Sequence, residues 1–262
     1  YVPTPLCRPS LMSLATGLHP HQHGITGNDP RGGWRNPEFP REDLLVSVDS
    51  LSTLPEILTD NGYLTFQSGK WWEGSFQRGG FTHGMTEGSR HGDKGLVIGR
   101  EGLQPVFDFI EMAEAAEKPF YVWYAPFLPH TPHNPPDATL EKYSELGLHP
   151  HVARYYAMCE WFDATCGELV AYLEENGLRD NTLIYYACDN GWIQSTEDTQ
   201  AAPGSKQTVT EAGIRTPIFF SWPARFAPQS RPERITTLDF FPTILSMAGI
   251  EPPEGLPGMD LS

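Results

Sequence analysis

Phe120-Tyr121-Val122-Trp123-Tyr124-Ala125 is an unbroken run of apolar and aromatic residues. A surface helix would interrupt such a run at a 3.6-residue period and a half-wet strand at a period of two, so it reads as a strand buried on both faces. Thr182-Leu183-Ile184-Tyr185-Tyr186-Ala187 repeats the pattern, and Tyr63-Leu64-Thr65-Phe66-Gln67 and Pro217-Ile218-Phe219-Phe220-Ser221-Trp222 are less regular versions of it. A doubly buried sheet needs helices on each side. One is predicted from the Ser52-Thr53 cap, with Pro55 and Glu56 in its first turn, to Asn61-Gly62. A second covers 104–117, with Val106, Phe107, Phe109, Ile110 and Ala113 on its apolar stripe. A third runs from about 150 to Asn176-Gly177, and a last from about 237 to 248, closed by Gly249. The alternation predicts an α/β fold with a mostly parallel central sheet flanked by helices on both faces.

The 262 residues show no internal repeat and no second core, so one large domain is expected. Residues 24–50 are predicted as a long surface loop and 73–100 as an irregular, substrate-facing insertion, because both are rich in glycine. With 18 Lys+Arg against 33 Asp+Glu, the net charge of −15 argues against nucleic acid but not against a small anion met by a few local cations. No apolar run approaches a membrane span. Four cysteines do not make a disulfide framework, and Cys159 and Cys166, two turns apart on one helix, lie too far apart to bridge.

Polar side chains collect just beyond the predicted strand ends, where open α/β sheets bind ligands. Lys70 follows the first strand, His130 and His133 the second, and Asp189 and Asn190 the third, while Lys206 lies on the next loop. At the other end of the sequence, Cys7 opens a short helix that Gly17 closes. Unpaired backbone N–H groups at a helix start suit an anion; a buried, inert thiol is the alternative. A phosphatase-type CX₅R loop is excluded by Ser13. His19, His21 and His23 alternate like a metal tract, but beside Pro20 and Gly24 they are read as loop.

These residues carry a family resemblance. Cys7-Arg8-Pro9-Ser10, Thr16-Gly17 and His23-Gly24 with Asn28 resemble the signature of the type I sulfatases, in the alkaline phosphatase superfamily. Further along, Gly69-Lys70-Trp71 is similar to the family's Gly-Lys-Trp-His, Pro129-His130-Thr131-Pro132 to its Pro-His-x-Pro, and Cys188-Asp189-Asn190-Gly191 to its Ser-Asp-Asn-Gly. Lys206, the Glu211–Pro217 block and the helix from Asp239 to Gly249 complete the series in order.

The resemblance implies a sulfuric ester hydrolase that removes sulfate from a sugar or aryl ester. Cys7 would be converted by a modifying enzyme to formylglycine, whose hydrate attacks sulfur. Asp189 and Asn190, with the modified residue 7, would hold a calcium ion, Lys70 and Lys206 would bind sulfate oxygens, and His130 would be the general acid, a role suited to a group titrating near neutrality. A periplasmic or secreted location is the family expectation. So is an Asp-Asp calcium strand ahead of Tyr1 and a smaller domain beyond Leu256–Asp260, which makes residues 1–262 a catalytic domain truncated at both ends. Two positions depart from the pattern. Leu11 stands where the family has arginine and Trp72 where it has histidine, with His83 and His91 as candidates to replace the latter. A phosphodiester or phosphonate monoester hydrolase, and a non-catalytic sulfatase-like binding protein, are the alternative readings. Trp34, Trp71, Trp72 and Trp192 are candidate sugar-stacking rings.

Overall fold

A computed structural model describes every residue from 1 to 262 except Trp34. In chain order the helices are α1 (Cys7–Thr16), α2 (Pro20–His23), α3 (Arg41–Leu45), α4 (Leu54–Asp60), α5 (Gln104–Ala115), α6 (Asp137–Ser144), α7 (Pro150–Glu175), α8 (Glu211–Ile214) and α9 (Phe240–Met247). The strands are β1 (Leu64–Gly69), β2 (His83–Gly84), β3 (Phe120–Ala125), β4 (Ile184–Ala187) and β5 (Ile218–Ser221).

β1 lies between β2 and β3 and is parallel to both, with Leu64 opposite Phe120 and Gly69 opposite Ala125. The period-two pleat splits β3 between two cores. Tyr121 and Trp123 pack with α1, α4 and α9 (Leu11, Ala15, Leu54, Leu58, Phe240, Phe241), whereas Phe120, Val122 and Tyr124 join α5 and α7 (Val106, Phe109, Ile110, Leu173). Helices therefore cover both faces, as expected of a strand with no polar side.

The expectation of a mostly parallel sheet needs one amendment. β4 and β5 form a separate antiparallel pair, with Ala187 opposite Ile218. Between them the chain holds only the four-residue α8, too short to carry it back across the layer, so β5 starts at the end where β4 stopped. β4 still extends the core beside β3, where the Tyr121 and Tyr185 hydroxyls are 2.6 Å apart and Tyr185 packs on Phe240.

Both glycine-rich segments are more ordered than predicted. Residues 24–50 contain α3, and Ile25 and Val48 are buried against Met12. Residues 73–100 supply β2 as the edge of the sheet rather than a purely substrate-facing insertion. α2 replaces the loop expected around His19–His23, and His23 is buried there. Its Nδ1 accepts the Ile25 N–H at 3.1 Å, so the neutral ring donates Nε2–H to Ser13 Oγ, also at 3.1 Å. All four cysteines are free thiols. Among the described residues no helix is long and apolar enough to cross a membrane.

Candidate active site

Cys7 is the first residue of α1 and is 1% exposed. The turn is tied down by Asn28, whose Oδ1 accepts the Arg8 N–H at 2.9 Å. Gly17 ends the helix in the left-handed conformation. Leu11, one turn on from Cys7, points into the core shared with α4 and α9, which fixes the face that Cys7 occupies.

Lys70 reaches the same place from the end of β1. Gly69 has φ +80°, and a Cβ there would lie 1.9 Å from the Ala125 carbonyl oxygen, so only glycine lets the strand turn this closely against β3. The Lys70 N–H then donates to that carbonyl at 2.6 Å, and Trp123 Nε1 donates to the Lys70 carbonyl at 3.1 Å. The buried Lys70 ammonium is ion-paired with Asp189, the second residue after β4. Burial opposes charge on both. The opposite charges prevail, raising the lysine pKa and lowering that of the aspartate, so both are ionised.

Asn190 Nδ2 donates to the Gly191 carbonyl at 2.9 Å, and its Oδ1 lies 3.5 Å from Cys7 Sγ. Gly191 lets this loop press on α8, because a Cβ at 191 would sit 2.1 Å from the Ala212 carbonyl oxygen. Lys206 arrives from the loop before α8, anchored where Gln207 N–H donates to the Pro5 carbonyl at 2.9 Å, and its Nζ donates to Cys7 Sγ at 3.0 Å. Trp192 lies under the same ammonium, 5.4 Å from its ring centre.

His130 stacks on Phe127 at 4.1 Å, and its Nδ1–H donates to the Thr131 carbonyl at 2.9 Å, so the neutral ring has a bare Nε2. Burial, then the charge of Lys70, pushes its pKa down to about 4, with Lys206 adding to the effect. At that value the imidazole of the free site is neutral near pH 7. His133, by contrast, is buried beside Tyr155, with neither ring nitrogen bonded among the described residues.

The fit of these residues to calcium can be judged from their chemistry. Asp189 and Asn190 present a carboxylate and an amide oxygen, the hard donors that calcium takes. Among the described residues no group of three or more His, Cys, Asp or Glu side chains gathers as a metal centre, so one carboxylate and one amide oxygen beside Cys7 are what this set offers.

Against this geometry, a family model for sulfatases matches residues 1–250. The chain belongs to the sulfatase family. It is 27% identical to the N-acetylgalactosamine-6-sulfatase of Canis lupus familiaris, over 100% of this chain and 57% of that protein. It is equally 27% identical to human arylsulfatase A, over 100% of this chain and 59% of the relative. The chain thus spans somewhat over half the length of these curated sulfatases. A crystal structure of Ps i-CgsB in complex with k-i-k-neocarrahexaose superimposes with a TM-score of 0.75 at 22% identity, covering 100% of this chain and 66% of that one.

Several features of this sulfatase-family site were not read from the sequence. Arg8 and Glu73 form a buried two-pronged ion pair, with Nε–Oε1 at 2.7 Å and Nη2–Oε2 at 2.6 Å. Glu73 directly after two tryptophans was the available signal, since a carboxylate flanked by core residues needs a partner. Arg90 is held by both carboxylate oxygens of Asp29 at 2.8 Å. The His91 and Trp72 ring centres are 4.2 Å apart in an edge-on arrangement, whereas His83, on β2, packs against Phe109 on the other face. Trp71 and Trp72 are buried at 1% and 2% exposure, which removes them as sugar platforms. Trp192 is half-buried, and Trp34 lies outside the described residues.

Proposed function

We propose that this chain provides the catalytic core of a sulfuric ester hydrolase acting on a sulfated carbohydrate. The observation that carries the reading is the meeting at Cys7 of a helix start, the Lys206 ammonium at 3.0 Å and Asn190 at 3.5 Å, with the Lys70–Asp189 pair beside them. A nucleophile position surrounded by cations and a helix N-terminus suits attack on an anionic ester. When present, a formylglycine made from Cys7 supplies the nucleophilic oxygen, and a calcium ion held through Asp189 and Asn190 supplies Lewis acidity toward the sulfate.

Lys206 and Lys70 hold sulfate oxygens and offset the charge that accumulates there. The incoming anion also counters the lysine field on His130 and so restores proton affinity to its Nε2, the atom that hands a proton to the leaving oxygen. Carbohydrate as the leaving group is supported by the N-acetylgalactosamine-6-sulfatase relatives and by Trp192 beside Lys206.

The test is two measurements on full-length protein: the mass of the Cys7 peptide, and turnover on matched sulfated and phosphorylated sugars. An aldehyde at position 7 with preference for the sulfate is expected. Preference for the phosphate ester would move the reading to phosphoester hydrolysis. An intact thiol without turnover would favour a binding protein.

A further inference from the structure

Arg90 and His91 lie in a segment, Arg90–Val97, that is kinked at its start. His91 has φ +67° and Asp93 has φ +35°, both in the left-handed region that side-chain-bearing residues avoid. Gly92 between them fits only because it lacks a Cβ, which would lie 2.3 Å from the Gly69 carbonyl oxygen. The kink is held from within by the Asp93 carboxylate, which accepts the backbone N–H groups of Glu87, Gly88, Ser89 and Lys94 at 2.6–3.2 Å. It is tied to the site by Trp71 N–H, which donates to the His91 carbonyl at 3.0 Å. Strain supported this thoroughly places two side chains at a chosen spot.

That spot is beside Trp72. The Arg90 guanidinium stands 4.9 Å over the Trp72 ring, and the His91 ring meets the same indole at 4.2 Å and lies 5.9 Å from His130. Asp29 fixes the Arg90 fork, and the preceding residue, Asn28, accepts the Arg8 N–H one residue from Cys7. The arginine is therefore braced against the helix turn that carries the nucleophile. Donors are in surplus here. Trp72 Nε1 and Arg8 Nη1 are buried with no acceptor among the described residues, which is costly unless a ligand supplies one. Arg90 lies within electrostatic reach of Cys7, and His91, desolvated and facing Arg90 and Lys70, is kept neutral with its pKa pushed down to about 3.

We propose that Arg90, His91 and Trp72 form a second donor wall of the oxyanion site at Cys7, and that Arg90 binds the sulfate group alongside Lys206. With Nε and one Nη2 N–H taken by Asp29, the outer Nη1 and Nη2 N–H groups are left to pair anion oxygens, the His91 ring orients the guanidinium from one side with Nδ1 3.1 Å from Nη1, and the indole N–H takes a further oxygen. Arg90 and His91 restore, from a different segment, the polar contact that Leu11 withdraws by joining the apolar core. The inference rests on the sulfatase reading of the site.

Titration of the full chain with sodium sulfate in calcium-free, low-salt buffer tests it without depending on turnover. Arg90→Gln and Lys206→Gln are each expected to weaken sulfate binding about tenfold, with Arg90→Lys retaining part of the affinity. Asp29→Asn is expected to weaken it about threefold by loosening the fork. His91→Phe should lose several-fold and His91→Gln should recover it, while the exposed Lys118→Gln is unchanged. Circular dichroism on every variant separates lost binding from lost fold. Weakening by Lys206→Gln with Arg90→Gln and Arg90→Lys both folded and at wild-type affinity would overturn this inference alone. A wild-type chain that binds no sulfate would overturn the sulfatase reading and this inference with it.

Discussion

Arg8 and Glu73 pair through two hydrogen bonds of 2.7 and 2.6 Å with side-chain exposures of 0% and 3%. The pair joins the first turn of α1 to the segment that leaves β1, so it holds Cys7 and Lys70 in fixed relation. Buried ion pairs are weak net stabilisers, but one left without its partner is expensive. Glu73→Gln is therefore expected to destabilise the chain by about 3–5 kcal/mol, lowering the melting midpoint on the order of 10 °C. The double variant Arg8→Met/Glu73→Leu should recover much of that loss in calorimetry. Equal midpoints for Glu73→Gln and wild type would count against the pair as a structural tie.

His23 gives a pH signature. Burial pushes its pKa down to about 4 from an ordinary 6.5. Above pH 6.5 the ring is neutral in both folded and unfolded chains and contributes no pH dependence. Between 6.5 and 4 the unfolded chain gains a proton that the folded ring refuses, so stability falls as pH falls through that window. The loss approaches about 3 kcal/mol at its acid end. Urea midpoints at pH 7, 6 and 5 should fall more steeply for wild type than for His23→Gln; parallel curves would sink the assignment.

Gly69→Ala and Gly62→Ala separate clash from backbone strain. Both glycines have positive φ, but only Gly69 faces a carbonyl oxygen at 1.9 Å, whereas a Cβ at Gly62 meets nothing within 4 Å. Gly62→Ala is expected to cost about 1 kcal/mol. Gly69→Ala should cost about 3 kcal/mol or more, and it should displace Lys70 from Asp189. Denaturant titration of the two variants side by side measures the difference, and similar losses would remove the close approach as the reason for glycine at 69.

Trp192 is expected to read the sugar rather than the sulfate. Trp192→Ala should raise KM for a sulfated oligosaccharide about tenfold and leave a small aryl sulfate nearly unchanged, since only the larger leaving group reaches the ring. Steady-state kinetics on the two substrates decides it. An equal effect on both would mean that Trp192 acts by positioning Lys206 instead.

The strands were legible where burial on both faces wrote an uninterrupted apolar run, as at Phe120–Ala125. Their direction was not. β5 has the same composition as a parallel strand, and only the lack of a crossover helix between Ala187 and Ile218 makes it antiparallel. The candidate site residues at strand ends and at the start of α1, which the structure brings together, were readable because each follows a recognisable boundary. The buried partner of Arg8, and which of His83 and His91 stands beside Trp72, were not, for two different reasons. An arginine is normally solvated, and its burial depends on a carboxylate 65 residues away that no local pattern announces. His91 owes its place to a positive φ and to amides collected by Asp93, neither of which has a sequence period.

The partners of Cys7 lie far along the chain, Asn190 by 183 residues and Lys206 by 199. A chain emerging from the ribosome exposes Cys7 well before Asn190 and Lys206, the groups that enclose it, have been made. Position 7 thus has an early period, open to solution and to other proteins, and a late one in which it is 1% exposed and closed to both. The reactivity of Cys7 toward a thiol reagent during refolding is accordingly a clock for the last long-range contacts to form.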